Sequence, residues 1–268
     1  MGHTEFFDGN NYEFNNKSKN GIYIIHGFSN STYEVRELAE YLGNNGFYTR
    51  ADNLPGHGTT ADDCNRCKYN DWIKFVEKGV SEMDAKCDNI FIIGISLGSD
   101  LAIYLATKFQ LSGVVFAATV LKFNNEFKIR ILNTISHSFF PKIDKRKTYN
   151  KKFRDTYDYY GYDVYPLTGL NEMRKLTNIV RPILNQVTSP ALIIYSKRDV
   201  LSLRANFDIV FDNISSNIKE TLVLEKSTHN IFTKSSEQQL VFNKIVFFSR
   251  KIVTCPLPKL NPQGKLKR

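Results

Sequence analysis

Ser96 sits in Gly94-Ile95-Ser96-Leu97-Gly98, the segment whose residue types come closest to a reaction centre. A serine hydroxyl is a weak nucleophile at neutral pH. It needs an adjacent base, and the base needs a partner that fixes its tautomer. The pentapeptide alone is a weak signal, and a glycine-rich turn with an incidental serine is its bland alternative. Its context is what strengthens it. Asn89–Gly94 reads as a buried strand and Ser96–Phe109 as a helix with Leu97, Leu101, Tyr104 and Leu105 inward. A nucleophile elbow requires that strand–turn–helix order. Glycines on both sides leave room for strained backbone, and the helix N-terminus aims its amides at the serine.

Five histidines are available as the base. His3 lies in an unanchored N-terminus, His26 ends a strand, His57 sits between two glycines in a turn, and His137 falls in the middle segment. His229 follows the last strand and precedes the last helix. That places it at the carboxyl edge of the sheet, and it is the expected base. The acid should follow a strand between serine and histidine. Asp199, directly after the strand Ala191–Ser196, is the expected acid, whereas Asp208 and Asp212 fall in a helix and Asp163 in the middle segment. An aspartate at 199 also suits the cap of a helix starting near Ser202, a use expected to compete with the first. A tetrahedral intermediate needs preorganised N–H donors. The Leu97 amide is one, and the Phe28 amide, after the turn at Gly27, is the other.

These residues require an alternating scaffold. Gly21–His26, Phe47–Asn53, Asn89–Gly94, Gly113–Ala118, Ala191–Ser196 and Glu220–Leu224 read as strands. Thr32–Asn44, Asn70–Lys86, Ser96–Phe109, a stretch near Ser202–Asn213 and Ser236–Val253 read as helices. Such βα alternation gives a mostly parallel sheet with helices on both faces. Between Val120 and Ser189 the pattern weakens and no strand is evident. The division expected is a core of residues 1–120 and 189–254, a small helical cap inserted at 121–188 before the last two strands, and a basic tail at 255–268.

Length and composition suit one large globular domain, and no apolar run approaches the ~18 residues of a membrane span. Met1–Asp8 lacks the basic start and apolar stretch of a secretory leader, and the four cysteines make no disulfide framework, so a cytoplasmic location is expected. Cys64-Asn65-Arg66-Cys67 reads as a loop. It lacks the second pair that a structural zinc site wants, and it does not open a helix after a strand as a redox pair would. Residues Leu121–Arg154 hold ten Lys or Arg against Glu126 and Asp144, so +8 of the formal +9 charge lies there. A solvated basic surface is the plain reading. Weak contact with an anionic membrane or lipid surface is the alternative, and nucleic acid is not expected.

Taken in order, His26-Gly27-Phe28, Leu54-Pro55-Gly56-His57-Gly58, Asp71-Trp72, Gly94-Ile95-Ser96-Leu97-Gly98, Ser196-Lys197-Arg198-Asp199 and His229 resemble the bacterial carboxylesterase and monoacylglycerol lipase branch of the α/β-hydrolase fold. The resemblance covers roughly Gly21–Val253. It implies Ser96 as nucleophile, Asp199 as acid, His229 as base, the Phe28 and Leu97 amides as oxyanion donors, and a small cap in place of Leu121–Thr188. Ser99 departs from the second glycine that many relatives carry, and it is expected to crowd the elbow slightly. The chemistry implied is cleavage of short- to medium-chain acyl esters or monoacylglycerols through an acyl-enzyme, with no metal or cofactor. Phe123, Ile131, Phe139 and Phe140 are candidates for an acyl pocket. A thioesterase or acyltransferase would use the same three side chains, and a non-catalytic binding protein on this fold would not need them.

Overall fold

The apolar runs become strands that are buried on both faces. The computed structural model describes residues 4–123, 141–148 and 160–254. In β2 (Asn20–Ile25), β4 (Asn89–Ile95), β5 (Gly113–Ala117) and β8 (Ala191–Ser196) nearly every residue is buried. Successive side chains of a strand point to opposite faces. Accordingly Ile22, Ile24, Phe91, Ile93, Val115 and Leu192 join one core, while Tyr23, Ile25, Ile92, Val114, Phe116 and Ile193 join the other. Helices α1 (Arg36–Asn44) and α8 (Gln238–Thr254) cover the first face. Helices α3 (Tyr69–Asp84), α4 (Leu97–Ala106), α6 (Leu167–Val180) and α7 (Arg204–Asn213) cover the second.

With β1 (Tyr12–Phe14), β3 (Tyr48–Ala51) and β9 (Lys219–Leu224) the sheet has seven strands in the order β1-β3-β2-β4-β5-β8-β9. All neighbours are parallel except β1, an antiparallel edge strand that the sequence pattern did not flag. The chain runs outward from β2 to β3, then returns across β2 to β4. The helix after β2 packs on one face and the helix after β4 on the other. Their connections therefore diverge at the carboxyl ends of β2 and β4, which makes the crevice where ligands bind in open α/β sheets.

Between β5 and β8 the chain leaves the sheet. Two short strands, β6 (Lys142–Asp144) and β7 (Val164–Pro166), pair antiparallel, with α5 (Lys145–Thr148) after the first. Strands of three residues are too short for a period of two to register, which is why none was expected here. Helix α6 and the 3-10 segment Arg181–Gln186 lead back to β8. Lys145 is a correction to the reading of a basic surface. It is only 5% exposed, and its ammonium donates to the carbonyls of Tyr160 (2.8 Å) and Ser29 (3.4 Å). Lys142 pairs with Asp62, while Arg146 and Lys147 are exposed.

The N-terminal segment runs over this region. Thr4 N–H donates to the Gly161 carbonyl (2.8 Å), and Gly161 N–H donates back to Phe6 (2.9 Å). The Phe6 ring stacks on Tyr160 and lies under the ammonium of Lys234. Cys64 sits in helix α2 (Ala61–Arg66) and Cys67 caps its end, so the pair is helical rather than looped. Thr60 and Asp63 close a capping box at the start of α2, and burial pushes the Cys64 thiol far up, away from the reactive thiolate. Among the described residues no helix is long and apolar enough to cross a membrane.

Candidate active site

Strand β4 delivers Ser96 to the crevice. The residue has φ 55° and ψ −119°, a conformation a side-chain-bearing residue rarely adopts, and it forms the N-cap of α4. Close approach makes this turn possible. A Cβ on Gly94 would lie 2.1 Å from the Gly98 carbonyl oxygen, and one on Gly98 would lie 2.1 Å from that of Ile25. No side chain fits either gap. Ser99 does not crowd the elbow. Its hydroxyl lies within reach of the carbonyls of Gly94 (3.0 Å) and Ala117 (3.2 Å) and accepts from Thr119 at 3.1 Å, tying the first turn of α4 to β4 and β5. Leu97 is the first residue of α4, so its N–H has no partner within the helix and leaves the helix end beside Ser96.

Asp199 follows β8 and His229 follows β9. The Asp199 carboxylate is fully buried and its Oδ2 accepts from His229 Nδ1 at 2.7 Å. Its Oδ1 accepts from the amides of Leu201 (2.8 Å) and Ser202 (2.9 Å). The capping use and the histidine contact therefore do not compete, because each takes a different oxygen. With Nδ1 carrying the proton toward Asp199, Nε2 is left as the basic nitrogen. Burial works against a charge on this ring, but Asp199, and after it Glu34, outweigh burial and hold the imidazole above its ordinary value. The loop bearing His229 is wrapped around Glu237, which accepts the amides of Glu225, Lys226 and Ser227.

The Phe28 amide is aimed by its neighbour. A peptide unit is planar, with C=O and N–H on opposite sides. The Gly27 carbonyl, which shares a plane with Phe28 N–H, accepts from His26 Nδ1 at 2.8 Å. His26 Nε2 accepts from the Leu54 amide at 3.1 Å. That amide fixes the tautomer, and burial pushes the ring down to about 4, so it stays neutral. The Leu54–Gly58 loop is braced in turn by Trp72, whose indole donates to Pro55, and His57 is buried well below its usual range. His26 and His57 thus shape the site rather than ionise in it. His3, His137, Ile131, Phe139 and Phe140 lie outside the described residues. Phe123 is half-buried against the core on the α4 face.

Glu34 and Lys145 are among the buried charged groups that escaped the sequence reading. Glu34 lies in the 3-10 turn Thr32–Glu34, is 1% exposed, and accepts from Gly27 N–H at 2.6 Å. Neither residue type nor helical spacing signals burial of an acid. Its position next to the inward Val35 is the only hint.

The chain that carries this arrangement, an elbow serine at a helix end with a buried Asp–His pair on the same sheet edge, is similar to known proteins. The sequence model of the family described as serine aminopeptidase, S33, matches residues 16–236. The chain belongs to that family. A thermostable monoacylglycerol lipase of Bacillus sp. (strain H-257) is 27% identical over 240 residues, covering 86% of this chain and 90% of the relative. A carboxylesterase of Bacillus subtilis (strain 168) is 22% identical over 232 residues, covering 86% and 92%. Among solved structures, one from a study of two metagenome-derived lipolytic enzymes superposes with a TM-score of 0.80 at 23% identity, covering 91% of this chain and 98% of that one. The S33 chain therefore has the α/β-hydrolase fold, and the match extends across the segment between β5 and β8.

Proposed function

We propose that this protein hydrolyses carboxylic esters through an acyl-enzyme on Ser96, with short- to medium-chain acyl esters or monoacylglycerols as substrates. The observation that carries the reading is the His229–Asp199 hydrogen bond on the sheet edge that also presents Ser96 at positive φ. The lipase and carboxylesterase relatives support the substrate class.

The steps follow from the geometry. His229 Nε2 takes the proton of Ser96 as its oxygen attacks the ester carbonyl, and Asp199 stabilises the imidazolium. The carbonyl oxygen becomes an oxyanion and accepts from the amides of Phe28 and Leu97. The imidazolium then protonates the alcohol as it leaves. Water, activated by the same nitrogen, cleaves the acyl-enzyme and regenerates the hydroxyl. His229 relays each proton and the two amides supply the donors, while the hydrolytic water provides the proton that restores the Ser96 hydroxyl. The partner is a small acyl ester and nucleic acid has no part in it. A cytoplasmic location, on the small number of cysteines, belongs to the same reading.

Labelling with a fluorophosphonate tests the nucleophile. The wild type should gain one adduct on Ser96, and Ser96→Ala should gain none while keeping its circular dichroism. The variant should lose roughly a thousandfold or more in turnover of a p-nitrophenyl ester. Wild-type turnover in Ser96→Ala would rule the assignment out. Comparing p-nitrophenyl esters with acyl-CoA separates ester from thioester cleavage.

A further inference from the structure

Glu34 is placed where a purely structural acid has no need to be. Its Oε2 accepts from Gly27 N–H at 2.6 Å. A Cβ built on Gly27 would lie 3.1 Å from that oxygen and 3.3 Å from the Cβ of Ser96. The carboxyl group and the nucleophile thus flank a single glycine. The backbone carbonyl of Glu34 accepts from Thr233 Oγ1 at 2.6 Å, which ties the turn to the loop that carries His229. Gly27 is therefore held at its N–H by Glu34 and at its carbonyl by His26. Burying an acid at 1% exposure is unfavourable unless its contacts offset the lost hydration.

We propose that Glu34 is a second positioning acid of the catalytic centre, which fixes Gly27 ahead of the Phe28 amide and lends its charge to the imidazolium of His229. The inference rests on the serine-hydrolase reading above. Two carboxylates then face His229, Asp199 through a hydrogen bond and Glu34 through space. Burial pushes the Glu34 carboxyl up. Gly27 N–H, His229, the Asn30 side chain and the Lys145 ammonium of the β6–β7 region all favour its ionised form. Asn30 Oδ1 is occupied by Ser31 N–H, which leaves its amide nitrogen for Glu34.

The sign of the effect is fixed. A negative Glu34 raises the His229 imidazole, and removing that charge lowers it. Activity needs neutral His229 in the free enzyme, so the acid limb of kcat/KM tracks this group. Glu34→Gln keeps an oxygen for Gly27 N–H and loses the charge. Its acid limb should move to lower pH by about half a unit or more, and kcat on the plateau should fall about tenfold with KM nearly unchanged. Glu34→Ala, which loses the acceptor as well, should fall further in kcat. A residue that only held the fold would leave the limb in place.

A folded Glu34→Gln with an unmoved limb and wild-type kcat overturns the proposal. If that variant does not fold, the 13C carboxyl resonance of Glu34 in the unaltered protein decides. It should register the protonation step of His229, and a signal blind to that step overturns the proposal equally. Fluorophosphonate labelling of the wild type keeps the two readings apart. A wild type that never labels removes the hydrolase reading and this inference with it. A wild type that labels, beside a variant with an unmoved limb, removes this inference alone.

Discussion

Two aspartates of the same segment have opposite surroundings, and that difference is measurable. Asp199 gives one oxygen to His229 and the other to two amides, whereas Asp208 pairs on the surface with Arg204. Asp199→Asn would present an amide to Nδ1 and favour the wrong tautomer, with an expected loss of about ten-thousandfold in kcat. Asp208→Asn should stay within about twofold, since exposed pairs contribute little. A steady-state comparison checks the ranking. His229 itself makes a second prediction. Its pKa lies above the ordinary imidazole value, so kcat/KM should rise with pH through a midpoint above 6.5. A midpoint below that value would mean that burial, not the carboxylates, governs the ring. That Ser96, Asp199 and His229 gather at one sheet edge was legible in the sequence, because each follows a strand. Glu34 and Lys145 were not. Sequence pattern treats a charged residue as exposed, and only the approach of other segments, the Gly27 turn for one and the Tyr160 carbonyl for the other, makes burial tolerable.

At the scale of elements, the loop after β9 is held less by its own residues than by the start of α8. Glu237 accepts three successive amides and the Ser227 hydroxyl, and Ser196 donates from β8 to the Ser227 carbonyl. Burial opposes the Glu237 charge, but these donors together outweigh it and bring its carboxyl down to about 2. A lowered folded pKa contributes stability that is present above the unfolded value near 4.5 and is lost as pH falls toward 2. Glu237→Gln should therefore lower Tm at neutral pH by a few degrees and show a smaller further loss in acid than the wild type. Its kcat should fall as well, because His229 rides on this loop. A calorimetric series from pH 7 to pH 3 reads both. The long strands and helices were legible from periodicity. Helix α2, six residues long, and β1, three residues on an edge, were not, because neither spans enough chain for a period to repeat. Thr60 and Asp63 do carry the capping signature, and that was the one available cue to α2.

For the whole molecule, the basic excess between β5 and β8 is not a uniform coat. Lys145 is enclosed, and burial brings its ammonium down to about 7 from an ordinary 10.5. Between those values the unfolded chain holds a proton that the folded chain lacks. This group therefore makes stability rise with pH across that interval, by at most about 1.4 kcal/mol per unit. Lys145→Met should flatten the dependence between pH 7 and pH 10, as followed by urea denaturation. An unchanged slope would place the lysine in water. Any steering of anionic surfaces then falls to exposed residues such as Arg146 and Lys147, and salt-dependence tests belong on those. The N-terminal strap gives the molecule another property. Thr4 and Phe6 supply both backbone partners of Gly161, and the Phe6 ring lies between Tyr160 and Lys234. Gly161 in turn precedes Tyr162, whose amide donates to the Ser29 carbonyl just beyond Phe28. A protease that trimmed the chain to Asp8 would remove no residue of the reaction centre. It would nonetheless strip the cover from the segment that steadies the Phe28 turn and from the lysine beside the His229 loop, so that digestion at one end of the polypeptide is felt where the ester is cut.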